Sequence, residues 1–228
     1  MRFVITRTLG LASIILASTS LRLAGQKATS SISKIADLDT TDIWGISEPK
    51  NGRFVAFVST NGIKVLDRRT GAITRIVDSG AVVTPSWGGG SLSLSASGRR
   101  LVFFGPDDSR RKPYVWSVDL DTLTGKPVSA PHRVSVMPAV EATVSDDGRS
   151  IAIVTEERPS NGPAMRKLLV IPSGGGDERM LDSAGRIQSP RWTPDGKTIF
   201  YIRGRGNGPA LTRVSALGGR ADSLAPAT

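Results

Sequence analysis

The chain has 228 residues, 39% of them apolar and 22% charged, and with 25 glycines its composition is that of a globular protein rather than a disordered one. It has no cysteine and one histidine. That excludes disulfide scaffolds, thiolate zinc sites, iron–sulfur clusters and a cysteine nucleophile, and leaves little for metal ligation. The formal net charge is +10, but Arg2, Arg7 and Arg22 lie in a first segment without acids, so the remainder carries a dispersed +7. With 5% aromatics and one dense basic run, Arg110-Arg111-Lys112, the pattern fits neither the stacking platform nor the reading helix of a nucleic-acid binder.

The first segment is basic at Arg2 and Arg7, apolar from Leu9 to Ala17 apart from Gly10 and Ser13, and small at Ser18-Thr19-Ser20. This is the order of a secretory signal peptide, expected over residues 1–25 with cleavage after Ser20 or Gly25. The apolar run is shorter than the roughly 20 residues that cross a bilayer as a helix. A periplasmic or secreted location is therefore expected, with no stable membrane insertion after cleavage. Within residues 26–40, Ile32 to Leu38 reads as an edge strand suited to completing a sheet.

From residue 41 onward one pattern recurs four times: an apolar residue, Ser or Thr, a glycine turn, a basic residue and an apolar run. The turn glycines are Gly52, Gly98, Gly148 and Gly196, at intervals of 46, 50 and 48 residues. Asn-Gly, Ser-Gly and Asp-Gly reach the positive φ that strand-joining turns require. The runs that follow, such as Phe54 to Val58 and Leu101 to Phe104, are apolar at consecutive positions, which is the mark of strands covered on both faces. Third strands are expected at Ile63–Leu66, Tyr114–Val118, Lys167–Ile171 and Leu211–Val214, and fourth strands at segments such as Ile73–Val77 and Ala221–Leu224. Four strands per unit of about 50 residues specify a propeller blade. No helical periodicity competes after residue 30. The expected fold is an all-β propeller of four-stranded antiparallel blades over residues 41–228, divided near 41–80, 81–134, 135–183 and 184–226.

The fourth repeat, Ser189-Pro190-Arg191-Trp192-Thr193-Pro194-Asp195-Gly196-Lys197, resembles the repeat of TolB-like β-propellers, and the third matches through Val144-Ser145-Asp146-Asp147-Gly148-Arg149. The first and second depart from it: Pro49-Lys50-Asn51-Gly52 reads as holding an extra residue, and Ser97 replaces the aspartate. The resemblance implies an exported, non-catalytic scaffold that binds an envelope protein or peptide, without a cofactor. The alternative it implies is the accessory propeller of a prolyl-oligopeptidase-type serine peptidase whose catalytic domain is not in this chain. Four blades are fewer than such propellers usually close with. Two readings stay open: a compact four-bladed ring, or an open, truncated one whose uncovered end faces would favour self-association.

No constellation of catalytic residues emerges. His132 reads as a surface residue of the second blade, and no Gly-x-Ser-x-Gly elbow occurs. Gly204-Arg205-Gly206-Asn207-Gly208 reads as a hairpin, because a phosphate loop needs a following helix. Asp146-Asp147-Gly148 reads as a turn rather than a calcium loop. Ser47, Ser95, Ser145 and Thr193 are expected to hydrogen-bond the turn backbone, and Arg53, Arg99, Arg149 and Lys197 to be solvated turn residues. The candidate binding surface is the mouth of the central channel, where the chain enters each innermost strand. It is expected to hold Asp42, Trp44, Trp87, Glu141, Gln188 and Arg191, with Trp44, Trp87 and Arg191 as anchors. The loop from Arg110 to Pro113 is a second candidate contact.

Overall fold

A computed structural model of the chain describes residues 3–8, 11–18, 31–38, 43–49, 52–82, 92–106, 112–205 and 208–226. Strands β1 (Phe3–Thr8), β2 (Leu11–Ser18) and β3 (Ser31–Leu38) form an antiparallel three-stranded sheet in that order. The edge strand read at Ile32 to Leu38 thus pairs with β2 and completes no blade.

Four antiparallel four-stranded sheets follow, each a meander in chain order. Blade one holds β4 (Ile43–Ser47), β5 (Phe54–Ser59), β6 (Gly62–Asp67) and β7 (Ile73–Val77). Blade two holds β8 (Leu92–Leu94), β9 (Arg100–Gly105), β10 (Tyr114–Asp119) and β11 (His132–Arg133). Blade three holds β12 (Ala139–Val144), β13 (Ser150–Glu157), β14 (Met165–Pro172) and β15 (Arg179–Ala184). Blade four holds β16 (Arg186–Trp192), β17 (Thr198–Arg205), β18 (Gly208–Ser215) and β19 (Asp222–Pro226). His132 lies in the outer strand of blade two, and Arg205 pairs with Gly208 across a hairpin, as the sequence suggests.

The second strand of each blade explains the stacking. In β9, Leu101 and Phe103 join Phe54, Ala56 and Val58 of β5, while the alternate residues Val102 and Phe104 join Ile151 and Ile153 of β13. In the same way Ala152 and Val154 of β13 meet Ile199 and Tyr201 of β17. The hydrophobic clusters therefore join one blade to the next in chain order, and among the described residues none joins blade four to blade one. The ring is open. The outward face of blade four leaves Phe200 and Ile202 half-buried and exposes Leu211 and Leu224. At the third interface a polar lock adds to the packing: Tyr201 donates to Asp182 at 2.6 Å and Arg203 Nε donates to the same oxygen at 2.7 Å. Burial, reinforced by Asp182, raises the Tyr201 phenol above its usual range.

The repeated turns have one geometry. Gly52, Gly98, Gly148 and Gly196 all adopt φ between +64° and +74°, and each donates its N–H to the carbonyl three residues before it. In blades two to four that residue is Ser95, Ser145 or Thr193, whose hydroxyl also accepts an N–H from the first residue of the next strand. In blade one the position is held by Pro49, so the first repeat has no extra residue. Ser47 serves elsewhere: its hydroxyl accepts the N–H of Leu94 in the next blade at 2.9 Å. Ser93, at the equivalent position of blade two, accepts from Val144 at 3.1 Å. At the third interface the equivalent Thr143 offers its carbonyl to the Trp192 indole at 3.0 Å. These bonds stitch the innermost strands together.

Replacing Ser47 with Ala leaves the Leu94 N–H without its acceptor at a blade interface. Ser47→Ala is expected to cost about 1–2 kcal/mol, a net hydrogen bond plus part of a desolvation penalty. Ser97→Ala, on an exposed turn, is expected to stay within about 0.5 kcal/mol of the parent. Urea unfolding checks both, and equal midpoints for the two variants would refute the stitch.

Candidate functional site at the channel mouth

Innermost strands of neighbouring blades pack side by side, β4 on β8, β8 on β12 and β12 on β16, so the points where the chain enters them gather at one end of the axis. Irregular pairing recurs there. The β4–β5 register shifts between Ile43 and Gly45, β12–β13 between Ala139 and Glu141, and β16–β17 between Gln188 and Arg191. Bulges of this kind re-aim side chains at the end of a strand. Ser189 lies in the last bulge at φ 55°, the sole non-glycine residue with positive φ among the described residues. Backbone held in that region is typically over-determined by its surroundings.

The surroundings of Ser189 are specific. Its N–H donates to Oε2 of Glu141 on the neighbouring blade at 2.6 Å. Glu141 and Ser189 each precede their turn glycine by seven residues, so the bond joins equivalent positions of successive repeats. Glu141 is half-buried. Burial pushes its carboxyl above the usual glutamate range, only partly offset by the Ser189 N–H and by Arg166 and Arg191. Arg166 donates through Nε to Glu156 at 2.9 Å and through Nη1 to the Ile187 carbonyl at 3.2 Å. Arg158 donates to the other Glu156 oxygen at 2.6 Å. Burial would raise the Glu156 carboxyl, but the two arginines outweigh it and hold the group low. On the rim, Arg186 donates to the Gln188 amide oxygen at 2.9 Å, and among the described residues exposed Arg191 reaches only the Pro190 carbonyl, at 2.8 Å.

Of the residues proposed from sequence, the structure brings Glu141, Gln188 and Arg191 together at the boundary of blades three and four. Trp44 lies in β4 at the bulge, but its side chain, like the whole of Asp42, Ser86 and Trp87, lies outside the described residues. Arg110 and Arg111, half of the Arg110 to Pro113 candidate, lie there too. Trp192 packs between blades three and four. Arg166, Glu156 and Ser189 were not anticipated. The two charged residues enter from the hairpin joining β13 to β14, which carries no motif, and the role of Ser189 rests on a backbone N–H that no side-chain pattern reveals. The cluster is a donor-rich rim around a half-buried carboxylate, suited to recognition by ion pairs and hydrogen bonds.

No family model and no curated protein sequence matches the chain. Solved structures do. A protein assigned as TolB from Agrobacterium tumefaciens matches with a TM-score of 0.62 at 13% identity, over 86% of this chain and 66% of that one. The fold is TolB-like. The tricorn protease matches at 0.59 and 16% identity, over 93% of this chain and 20% of that one. Oligogalacturonate lyase from Vibrio parahaemolyticus matches at 0.58 and 12%, over 94% and 60%. The chain thus spans just under two thirds of the TolB-type structure and less of the two enzymes. At these identities the likeness is one of propeller fold.

The raised Glu141 carboxyl makes a pH prediction. The folded chain holds this proton more tightly than the unfolded chain, so the contribution of the group is fully present below the usual glutamate pKa and is lost as pH rises through the folded value. Glu141→Gln keeps an acceptor for the Ser189 N–H but removes the charge. Comparing urea unfolding of the two proteins from pH 4 to pH 7 cancels every other carboxylate. The variant is expected to gain stability relative to the parent as pH rises, and a flat or falling difference would contradict the assignment.

Proposed function

We propose that this propeller is an exported, non-catalytic scaffold that holds a protein or peptide partner in the cell envelope at its channel mouth. The observation that carries the reading is the Glu141, Ser189, Arg166 and Arg191 cluster, where two blades set one half-buried acid among exposed and half-buried donors. Contacts of this kind fix register and partner choice more than raw affinity. Export is supported by the basic, apolar and small order of the first 20 residues. Removal after Ser20 or Gly25 takes β1 and β2 away, and with them the described pairing of β3. Among the described residues no helix is long and apolar enough to cross a membrane.

The second reading, an accessory propeller of a serine peptidase, draws on fold likeness to the tricorn protease. Coding sequence beyond Thr228 separates the two. A nucleophile elbow downstream favours the peptidase, and further blades favour the scaffold.

A photo-crosslinking residue at Gln188 in the native cell is expected to capture a discrete envelope partner. The same residue at Arg75, on the outer strand of blade one, is expected to capture none. Fractionation in the same cells is expected to place a shortened chain outside the cytoplasm. Full-length chain confined to the cytoplasm, or identical adducts from both positions, would overturn the proposal.

A further inference from the structure

The turn end of the blades, opposite the mouth, carries a second surface. Each boundary between blades there is a groove, walled by the glycine turns of two blades and by the connection between the third and fourth strands of the later one. The first groove is filled by the chain itself. The connection after Leu120 folds back as a braced loop, in which the Asp121 carboxylate accepts the N–H groups of Leu123 and Thr124 at 2.9 and 2.8 Å. Gly125, at φ +69°, lies so close to the Phe54 ring that a Cβ would sit 2.9 Å from it. Arg53 pairs with Asp67 at 3.2 Å, lies over the Phe54 ring at 4.8 Å, and donates to the Thr122 carbonyl at 3.2 Å and to the Leu123 carbonyl. The basic residue after the turn glycine is here a clamp on a peptide backbone. It is not the solvated residue the sequence suggests.

The next two grooves repeat the basic residue and lack the peptide. Between blades two and three, where Phe54 is replaced by Arg100 and the long loop by the turn Ser173-Gly174-Gly175, a cavity of about 360 Å³ remains, walled by Arg99, Arg100 and Arg149. Between blades three and four a cavity of about 480 Å³ is walled by Arg149, Arg179 and Lys197, with Leu217 at its edge. Arg149 and Pro172 border both cavities. Five cations face two acids, Asp147 and Asp177. Asp147 is already engaged by the Ser145 hydroxyl at 2.5 Å and the Arg149 N–H at 3.0 Å. Burial would raise its carboxyl, but those bonds outweigh it and keep the group ionised to lower pH than usual. Arg100 pairs with Asp119 at 3.0 Å and donates to the Ser117 hydroxyl at 3.3 Å and to the Ser173 carbonyl at 3.4 Å, and its Nε, like that of Arg53, is buried without a partner. Among the described residues, the side chains of Arg99, Arg149, Arg179 and Lys197 make no hydrogen bond or ion pair.

We propose that these two adjoining grooves bind an extended acidic peptide, its backbone carbonyls and carboxylates taking the places that Thr122 and Leu123 fill in the first groove. The internal loop supplies the template for backbone recognition, and the unpaired cations supply the preference for acidic side chains. This surface lies at the far end of the strands from the mouth and stands independently of export.

Fluorescein-labelled hexaglutamate, titrated with the purified full chain at low salt and followed by anisotropy, is the test. Binding is expected, and Arg149→Glu, at the wall common to both grooves, is expected to weaken it at least about tenfold, the worth of one or two charge-assisted bonds. Arg75→Glu changes the net charge equally on a distant outer strand and is expected to leave affinity within about twofold. Circular dichroism establishes that both variants fold, with Arg149→Gln as the milder replacement should the reversal fail. Equal loss in both reversals would reduce the effect to net charge and overturn the proposal. So would tighter binding of a labelled hexathymidylate, or competition by inorganic phosphate as effective as that of unlabelled peptide.

Discussion

Everything in this molecule depends on strands that are apolar on both faces. A sheet of this kind cannot rest with one side in water, because each second strand carries a double row of large side chains, and at about 25 cal/mol per Å² of buried apolar surface each row strongly favours a neighbour. Stacking blades is the solution, and it has a repeating register. Residues three and five after the turn glycine face the preceding blade, while residues four and six face the following one. Phe200 and Ile202 follow the same rule at the fourth blade and remain half-buried for want of a following blade among the described residues. The hydroxyl stitches at Ser47 and Ser93 then fix where each innermost strand sits against the next, which hydrophobic contact alone, being non-directional, does not determine.

The mouth cluster is a consequence of that stitching. Because the inner strands run side by side in register, a residue seven before the turn glycine in one blade lies beside the same position in the next, and the Glu141 carboxylate meets the Ser189 N–H there. The bulges at the strand entrances release backbone groups that a regular ladder would have consumed. One of those freed groups holds a half-buried acid whose ionisation is opposed by burial and favoured by two arginines. A fixed acid of this kind beside arginines is a better basis for selectivity than for affinity, since a mismatched partner must leave it desolvated and unpaired.

The period of the turn glycines and the unbroken apolar runs made the fold legible in the sequence, because both follow from local chemistry. Third and fourth strands were readable for the same reason. The alignment of the first repeat was not: Ser47 was matched to the turn hydroxyl, whereas Pro49 occupies that position and Ser47 reaches across to Leu94. A hydroxyl two residues from its expected place reads identically in a string of letters. The site was legible in part, since Glu141, Gln188 and Arg191 follow from the rule that function gathers where chains enter inner strands. Arg166 and Glu156 come from a hairpin with no motif, and only the blade-to-blade geometry brings them in.

The basic residue after each turn glycine shows most clearly how one repeated residue acquires different roles. Arg53, Arg99, Arg149 and Lys197 share the position after the turn glycine. What differs is the residue after them and the length of the connection opposite. Phe54 offers a flat apolar seat, and the twelve positions between Asp119 and His132 are enough for a loop to fold onto it and bring two carbonyls to Arg53. Blade three has only Ser173 to Glu178 for the same connection and blade four only Ala216 to Ala221, both rich in glycine, so neither can fill its groove. The four side chains left without an acceptor among the described residues, Arg99, Arg149, Arg179 and Lys197, are exposed, so what a carboxylate gains at each one is limited by solvent screening and the gain comes from their grouping. The first groove is filled and the other two are not, and the length of the connection opposite the shared basic residue accounts for the difference.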